Sequence, residues 1–309
     1  MNSQDHPILR RLSQGIDRNR LALALAIFAS LVWMIPVRSA AQAAGPEIPA
    51  YCSSVPAPSQ TLPGATAFTY RTVGDRVLRI HILKPRDDDH KRPALLLFFG
   101  GGFRTGDVAS LLDSARIFSE HGYVVAMADY RILCRDGVTA LAGLDDAKAA
   151  DSWLRHNARR LGVDPRRIVL GGASAGGLLA ATTTLRAPAR QRPAGLLLIN
   201  PVLDLTNGMW AKDQTLKDGA ASSASALPID TLPPTMIFHG TADEIVPIES
   251  SRRFCARAVA AGRACRLVEY PGMPHSFNDK KKVVPSLGLS PFDDTTAKAV
   301  AFLEMLPKP

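Results

Sequence analysis

From about residue 94 onward, short apolar runs alternate with longer helix-forming stretches. Ala94–Phe99, Val124–Ala128, Ile168–Leu170, Leu196–Ile199, Met236–Phe238 and Arg266–Glu269 are brief and nearly continuous in apolar content, the pattern of strands buried on both faces. Leu111–Glu120, Leu144–Arg160, Leu178–Leu185, Glu249–Ala261 and Thr295–Leu306 are longer and read as helices. Upstream, Thr66–Thr72 and Arg76–Leu83 form a strand pair around the turn Gly74-Asp75, and Asp87–Arg92 is a charged loop. Asp164-Pro165 separates the second helix-forming stretch from the strand that follows. The alternation predicts an α/β architecture, a mostly parallel sheet of eight strands with helices on both faces. No internal repeat is visible.

In such sheets chemistry collects at the carboxyl ends of the strands. After Ile168–Leu170 comes Gly171-Gly172-Ala173-Ser174-Ala175-Gly176-Gly177, followed directly by a helix-forming run. Gly172-x-Ser174-x-Gly176 fits a nucleophile elbow, in which a serine is pushed out of a sharp strand-to-helix turn at strained backbone angles. Glycines two residues to either side let strand and helix pass closely. Alone, the pattern also fits a Gly-rich turn. A phosphate-binding loop is disfavoured, because neither Gly-Lys-Ser/Thr nor Gly-x-Gly-x-x-Gly is present.

Three other strand ends give the serine its context. Gly100-Gly101-Gly102 strips side chains from a loop whose N–H groups can face a ligand, half of an oxyanion hole that the N–H of Ala175 would complete. Asp243 follows Met236–Phe238 within His239-Gly240-Thr241-Ala242-Asp243-Glu244, and His275 follows Arg266–Glu269. Ser174, Asp243 and His275 stand in the chain order of a serine-hydrolase triad, with His275 as base and Asp243 holding its tautomer. Asp204 is the rival acid. Glu244 is expected to face solvent, and His239 to pack or cap at its strand end. His81, His90, His121 and His156 have no motif around them.

Composition adds an address. Arg10, Arg11, Arg18 and Arg20 precede an uncharged stretch from Leu21 to Val37, and Ala41-Gln42-Ala43 offers small residues for cleavage. Residues 1–43 read as a secretory signal cleaved after Ala43, or alternatively as a retained membrane anchor. Residues 44–65 form an irregular lead-in and 66–309 the catalytic domain. The formal charge of +9 becomes +6 without residues 1–43, which hold five arginines and two aspartates. The remaining basic residues are scattered apart from Lys280-Lys281-Lys282, read as a solvated loop, so no nucleic-acid stripe is indicated. Four cysteines allow three pairings. The ten-residue spacing of Cys255 and Cys265 across a helix and the next strand favours that pair, leaving Cys52 with Cys134. No metal-ligand spacing accompanies them, and no cofactor is implied.

Together these segments resemble the α/β-hydrolase superfamily, and within it the hormone-sensitive-lipase-like and acetyl-xylan-esterase-like carboxylesterases of bacteria. Phe98-Phe99-Gly100-Gly101-Gly102-Phe103, Asp129-Tyr130-Arg131, Gly172–Gly177, His239–Asp243 and Pro274-His275-Ser276-Phe277-Asn278 carry the resemblance. It implies Ser174 as nucleophile, His275 as base, Asp243 as its orienter, and backbone amides of Gly101, Gly102 and Ala175 as the oxyanion hole. Phe99 stands where the family usually has a histidine that supports the glycine loop, so altered loop support is expected. Asp129-Tyr130-Arg131 is expected to be structural. Asp204 to Pro233 leaves room for only a minimal cap, which favours small, water-exposed acyl esters, acetylated carbohydrate among them. A serine peptidase on the same triad and a non-catalytic binding protein on a hydrolase scaffold are the alternatives. A dehalogenase-type enzyme would need an acidic nucleophile at the elbow.

Overall fold

The computed structural model describes residues 47–86, 91–206, 222–278, 280, 288 and 290–307. The proposed signal segment, His90, most of the charged loop after Arg86, Lys281, Lys282 and residues 207–221 of the expected cap lie outside them. Eight strands form one sheet: β1 Thr66–Val73, β2 Arg76–Leu83, β3 Arg92–Phe98, β4 Val124–Ala128, β5 Val163–Ala173, β6 Gly195–Ile199, β7 Thr235–Gly240 and β8 Cys265–Tyr270. Their order is β1-β2-β4-β3-β5-β6-β7-β8. β1 and β2 pair antiparallel, as do β2 and β4, and every other pairing is parallel.

The helices are α1 Leu112–Glu120, α2 Leu133–Asp136, α3 Ala140–His156, α4 Ala158–Leu161, α5 Ala175–Leu185, α6 Glu249–Ala260 and α7 Pro291–Glu304. α3 packs against α5, and α1 against α7. All five residues of β4 and the last five of β3 are buried, which requires cover on both faces of the sheet. α5 is buried along its whole length, so its uniformly apolar and small side chains suit a position against the sheet rather than at the surface. Among the described residues, no helix is long and apolar enough to cross a membrane.

Three elements differ from the sequence expectation by four residues or more. Asp164-Pro165 lies inside β5 instead of before it. Arg92 pairs with Val163 and Ala94 with Ile168, so the strand bulges around a proline that has no N–H to donate. The expected helix Leu144–Arg160 begins earlier, at Ala140, and breaks at Asn157, whose side chain donates to the Trp153 carbonyl at 2.8 Å. The last helix starts at Pro291, four residues before Thr295. Ser290 caps it by accepting from the Asp293 N–H at 3.1 Å, and proline at the first position has no N–H to leave unpaired.

The sheet order places the site. The chain goes from β3 to β4 on one side, then crosses to β5 on the other, so the connections after β3 and β5 diverge. A crevice opens at such a switch point. Two disulfides close, Cys52–Cys134 with a sequence separation of 82 and Cys255–Cys265 with a separation of 10. Because the longer loop removes more freedom from the unfolded chain, losing Cys52–Cys134 should cost about 2 kcal/mol more than losing Cys255–Cys265. Urea unfolding of the two Cys→Ser double variants measures that difference, with the Cys52/Cys134 variant expected to have the lower midpoint.

Candidate active site

Ser174 caps α5 with φ 51° and ψ −118°, a left-handed conformation that a serine adopts only where its surroundings over-determine it, at roughly 1–3 kcal/mol. Several contacts hold the turn. The Ser174 N–H donates to Ile199 O, and its carbonyl accepts from the N–H groups of Gly177 and Val202, all at 3.0 Å. A Cβ at residue 176 would overlap the carbonyl oxygens of Phe98 and Phe99, and one at 172 would overlap the Gly176 carbonyl. The Gly-x-Ser-x-Gly spacing is therefore a packing requirement: α5 begins in contact with the end of β3.

That contact brings in the glycine loop. A Cβ built on Gly100 would stand 3.3 Å from Ser174 Cβ. Gly101 has φ 133° and its carbonyl accepts from the N–H groups of Arg104 and Thr105 at 3.0 Å each, while a Cβ there would overlap the Thr105 carbonyl. Among the described residues, no backbone carbonyl takes the N–H of Gly101 or Gly102. Phe99, where the resemblance leads one to expect histidine, is fully buried and stacks on Tyr130 with ring centroids 4.2 Å apart. The Tyr130 hydroxyl donates to Phe99 O at 2.8 Å. Support for the loop thus comes from an aromatic pair and a phenol rather than an imidazole. Further along, Phe103 and Arg104 carbonyls accept from the N–H groups of Leu133 and Cys134, which ties the loop to the Cys52–Cys134 disulfide.

The structure brings Ser174, Asp243 and His275 together from the ends of β5, β7 and β8. His275 Nε2 lies 3.0 Å from Ser174 Oγ, and its Nδ1 lies 2.7 Å from Asp243 Oδ2. Asp243 has no exposed side-chain surface, whereas His275 keeps some. Burial alone pushes the Asp243 carboxyl up, but hydrogen bonds from His239, His275 and the Val246 N–H outweigh it and hold the group well below the usual carboxylate range. An ionised carboxylate only accepts, so Nδ1 must carry the ring hydrogen. Nε2 is then left bare, facing the serine hydroxyl.

Asp204 is elsewhere. Its Oδ1 accepts from the Thr206 N–H at 2.8 Å and the Thr206 hydroxyl at 2.6 Å. Glu244 is exposed, His81 is buried in β2, and His121 and His156 lie at helix ends.

Two residues that sequence reasoning did not place at the site contact His275 and Asp243. Asn200 follows β6 at φ 35°, with its N–H donating to Phe238 O at 2.7 Å. Its amide nitrogen lies 3.0 and 3.1 Å from the two ring nitrogens of His275. An in-plane position equidistant from both would overlap ring carbons, so the amide stands over the face of the imidazole. His239 is the second. Expected to pack or cap, it is fully buried with Nε2 3.1 Å from Asp243 Oδ2. Only the short His239-to-Asp243 spacing hinted at this contact.

A family model described as alpha/beta hydrolase fold matches residues 95–228. Thermogutta terrifontis esterase 2 in its native form is 34% identical, with a TM-score of 0.71, covering 82% of this chain and 96% of that one. Other structures of that esterase hold propionate or butyrate, or are phosphorylated by paraoxon. Lipase 2 of Moraxella sp. is 36% identical over 112 residues, which is 35% of this chain and 25% of that protein. The isoprenylcysteine alpha-carbonyl methylesterase of Arabidopsis thaliana is 25% identical over 236 residues, covering 64% of this chain and 53% of its own. The chain thus spans a quarter to about half of these two relatives, and nearly all of the solved esterase.

Because the Asp243 carboxyl is depressed in the folded chain, its ionised form contributes stability above about pH 4 that is lost as pH falls through the lower folded value. Urea midpoints of wild type and Asp243→Asn should therefore differ most at neutral pH and draw steadily closer as pH falls below about 4.

Proposed function

On the premise that the chain belongs to the α/β-hydrolase fold family, we propose that it is a serine carboxylesterase that hydrolyses short-chain acyl esters through an acyl-enzyme. The observation that carries this reading is the continuous line from Ser174 Oγ to His275 to the buried Asp243, at 3.0 and 2.7 Å.

Each residue then has one task. Ser174 Oγ attacks the acyl carbonyl carbon as His275 Nε2 takes its proton, and Asp243 stabilises the resulting imidazolium. The oxyanion is received by N–H groups of Gly101, Gly102 and Ala175, each typically worth about 3–4 kcal/mol in the transition state. His275 then protonates the departing alkoxide, and a water activated by the same nitrogen releases the acid. Backbone donors and an imidazole suffice for every step.

A short acyl group suits the site. The connection from β6 to β7 runs only from Asn200 to Pro234, too short to supply a large lid over the crevice. Propionate and butyrate in the related Thermogutta esterase are of that size. The arginine-flanked apolar segment before Ala43 and the two disulfides support work outside the cytoplasm, where an ester linked to a polysaccharide is accessible.

Two outcomes are expected. Nitrophenyl acetate and butyrate should be cleaved at least about tenfold faster than the octanoate in kcat/KM, and acetate release from an acetylated polysaccharide tests the carbohydrate arm. Ser174→Ala should lose at least about a thousandfold in kcat and gain no covalent adduct from a fluorophosphonate. Ester hydrolysis by Ser174→Ala at the wild-type rate would overturn the proposal. Between neutral pH and about pH 4, Asp243 stays ionised and should add no step of its own to the pH profile of kcat/KM.

A further inference from the structure

The Asp243 carboxylate serves two histidines. His275 Nδ1 and His239 Nε2 both reach Oδ2, at 2.7 and 3.1 Å. Oδ1 is occupied separately, by the N–H groups of Ile245 at 3.0 Å and Val246 at 2.8 Å. His239 Nε2 also lies 2.8 Å from the Val246 carbonyl. Both of its partners are acceptors, so Nε2 must carry a hydrogen and share it between them. On the far side of the ring, Nδ1 lies 2.8 Å from Ser251 Oγ. His239 and Ser251 are both fully buried, on β7 and α6.

Accepting the triad assignment above, we propose that His239 is a positioning residue for the reaction, acting through Asp243, and that Ser251 sets its tautomer. The Ser251 hydroxyl donates to Nδ1, which leaves a neutral ring with its one hydrogen on Nε2. That hydrogen anchors Oδ2 to a partner that does not change charge in the cycle. His275 alternates between imidazole and imidazolium, so its hold on Oδ2 alternates too. Without His239, the one restraint left on Oδ2 among the described residues would be the group it is meant to orient. The two backbone donors fix Oδ1 but leave the carboxylate free to turn about that oxygen. Packing alone would not need this arrangement, since an apolar residue of similar shape could fill the space without two hydrogen bonds.

The test compares wild type, Ser174→Ala, Asp243→Asn, His239→Gln, His239→Phe, Ser251→Ala and the Asp243→Asn/His239→Phe double variant. kcat and KM for nitrophenyl butyrate are measured per mole of protein, with circular dichroism melts to verify folding. Phenylalanine keeps the ring shape but has no donor, so His239→Phe should lower kcat by about tenfold or more with KM within about twofold. Glutamine places an amide N–H near the Nε2 position and should restore kcat to within about threefold of wild type. In the Asp243→Asn background the His239→Phe change should add no further loss, because its effect runs through a carboxylate already removed.

Ser251→Ala keeps His239 and its packing, and decides the matter should His239→Phe fail to fold. It should lower kcat about threefold at unchanged KM. A wild-type kcat in Ser251→Ala or His239→Phe, beside an inactive Ser174→Ala, overturns this inference alone. A further loss of the same size in the Asp243→Asn background overturns it as well. Turnover by Ser174→Ala overturns the triad assignment and this inference with it.

Discussion

The carbonyl oxygens of Phe98 and Phe99 occupy the space that a side chain on residue 176 would need. This close approach of α5 to the end of β3 is the constraint on which the site depends. It forces glycine at 176, and it holds Ser174 at positive φ where its side chain clears the turn. It also sets the glycine loop after β3 beside the serine, since Gly100 leaves the strand at the point of contact. The parallel order β3-β5 makes the approach unavoidable, because the two strands end side by side and their connections leave in different directions.

Around that contact, the molecule spends buried polar groups on holding loops rather than on reaction. Tyr130 lies under Phe99 and caps its carbonyl. Arg131 binds Asp146 on α3 at 2.8 Å, and Arg71 on β1 reaches the same carboxylate at 2.8 Å. Arg76 on β2 bridges Asp129 and Asp136, at 2.6 and 2.7 Å. Burial pushes the Asp129 carboxyl up even though arginines 76 and 135 oppose the shift. Such pairs contribute little net stability once desolvation is counted, but each would be expensive to break singly. Their effect is to fix the segment after β4, which in turn carries the loop after β3.

The acid end of the site is built on the same logic. Asp243 is buried, which by itself would favour the protonated form, yet donors to both of its oxygens keep it ionised. Two of those donors are backbone N–H groups of its own turn and two are histidines from neighbouring elements. The local turn after β7 therefore prepares the carboxylate before His275 arrives from β8. Asn200, against the face of the His275 ring, restricts the imidazole from the β6 side.

Much of this was readable in the chain. Alternating apolar runs and helix-forming stretches determined the α/β class, and all eight strands were legible, the parallel ones as short and mostly apolar runs and β1 and β2 from their pairing around the Gly74-Asp75 turn. Ser174, Asp243 and His275 could be singled out because each follows a strand, and Gly172 and Gly176 because close packing leaves a residue-type signature. Boundaries were harder. Proline at 165 read as a break but sits in a bulge, since the edge of a pairing register depends on β3. Ser290-Pro291 starts the last helix as a capping serine and a first-turn proline, ahead of the apolar run from which the helix was read. What only the tertiary structure decided were contacts between residues with no local pattern. The Tyr130–Phe99 stack, the Asn200 amide on His275, and the His239–Ser251 pair behind Asp243 join separate elements. Hydrophobic periodicity and turn chemistry are local quantities and fix where elements begin. Which buried donor meets which acceptor depends on strand order and on the space left between packed side chains, and those exist only once the chain has folded.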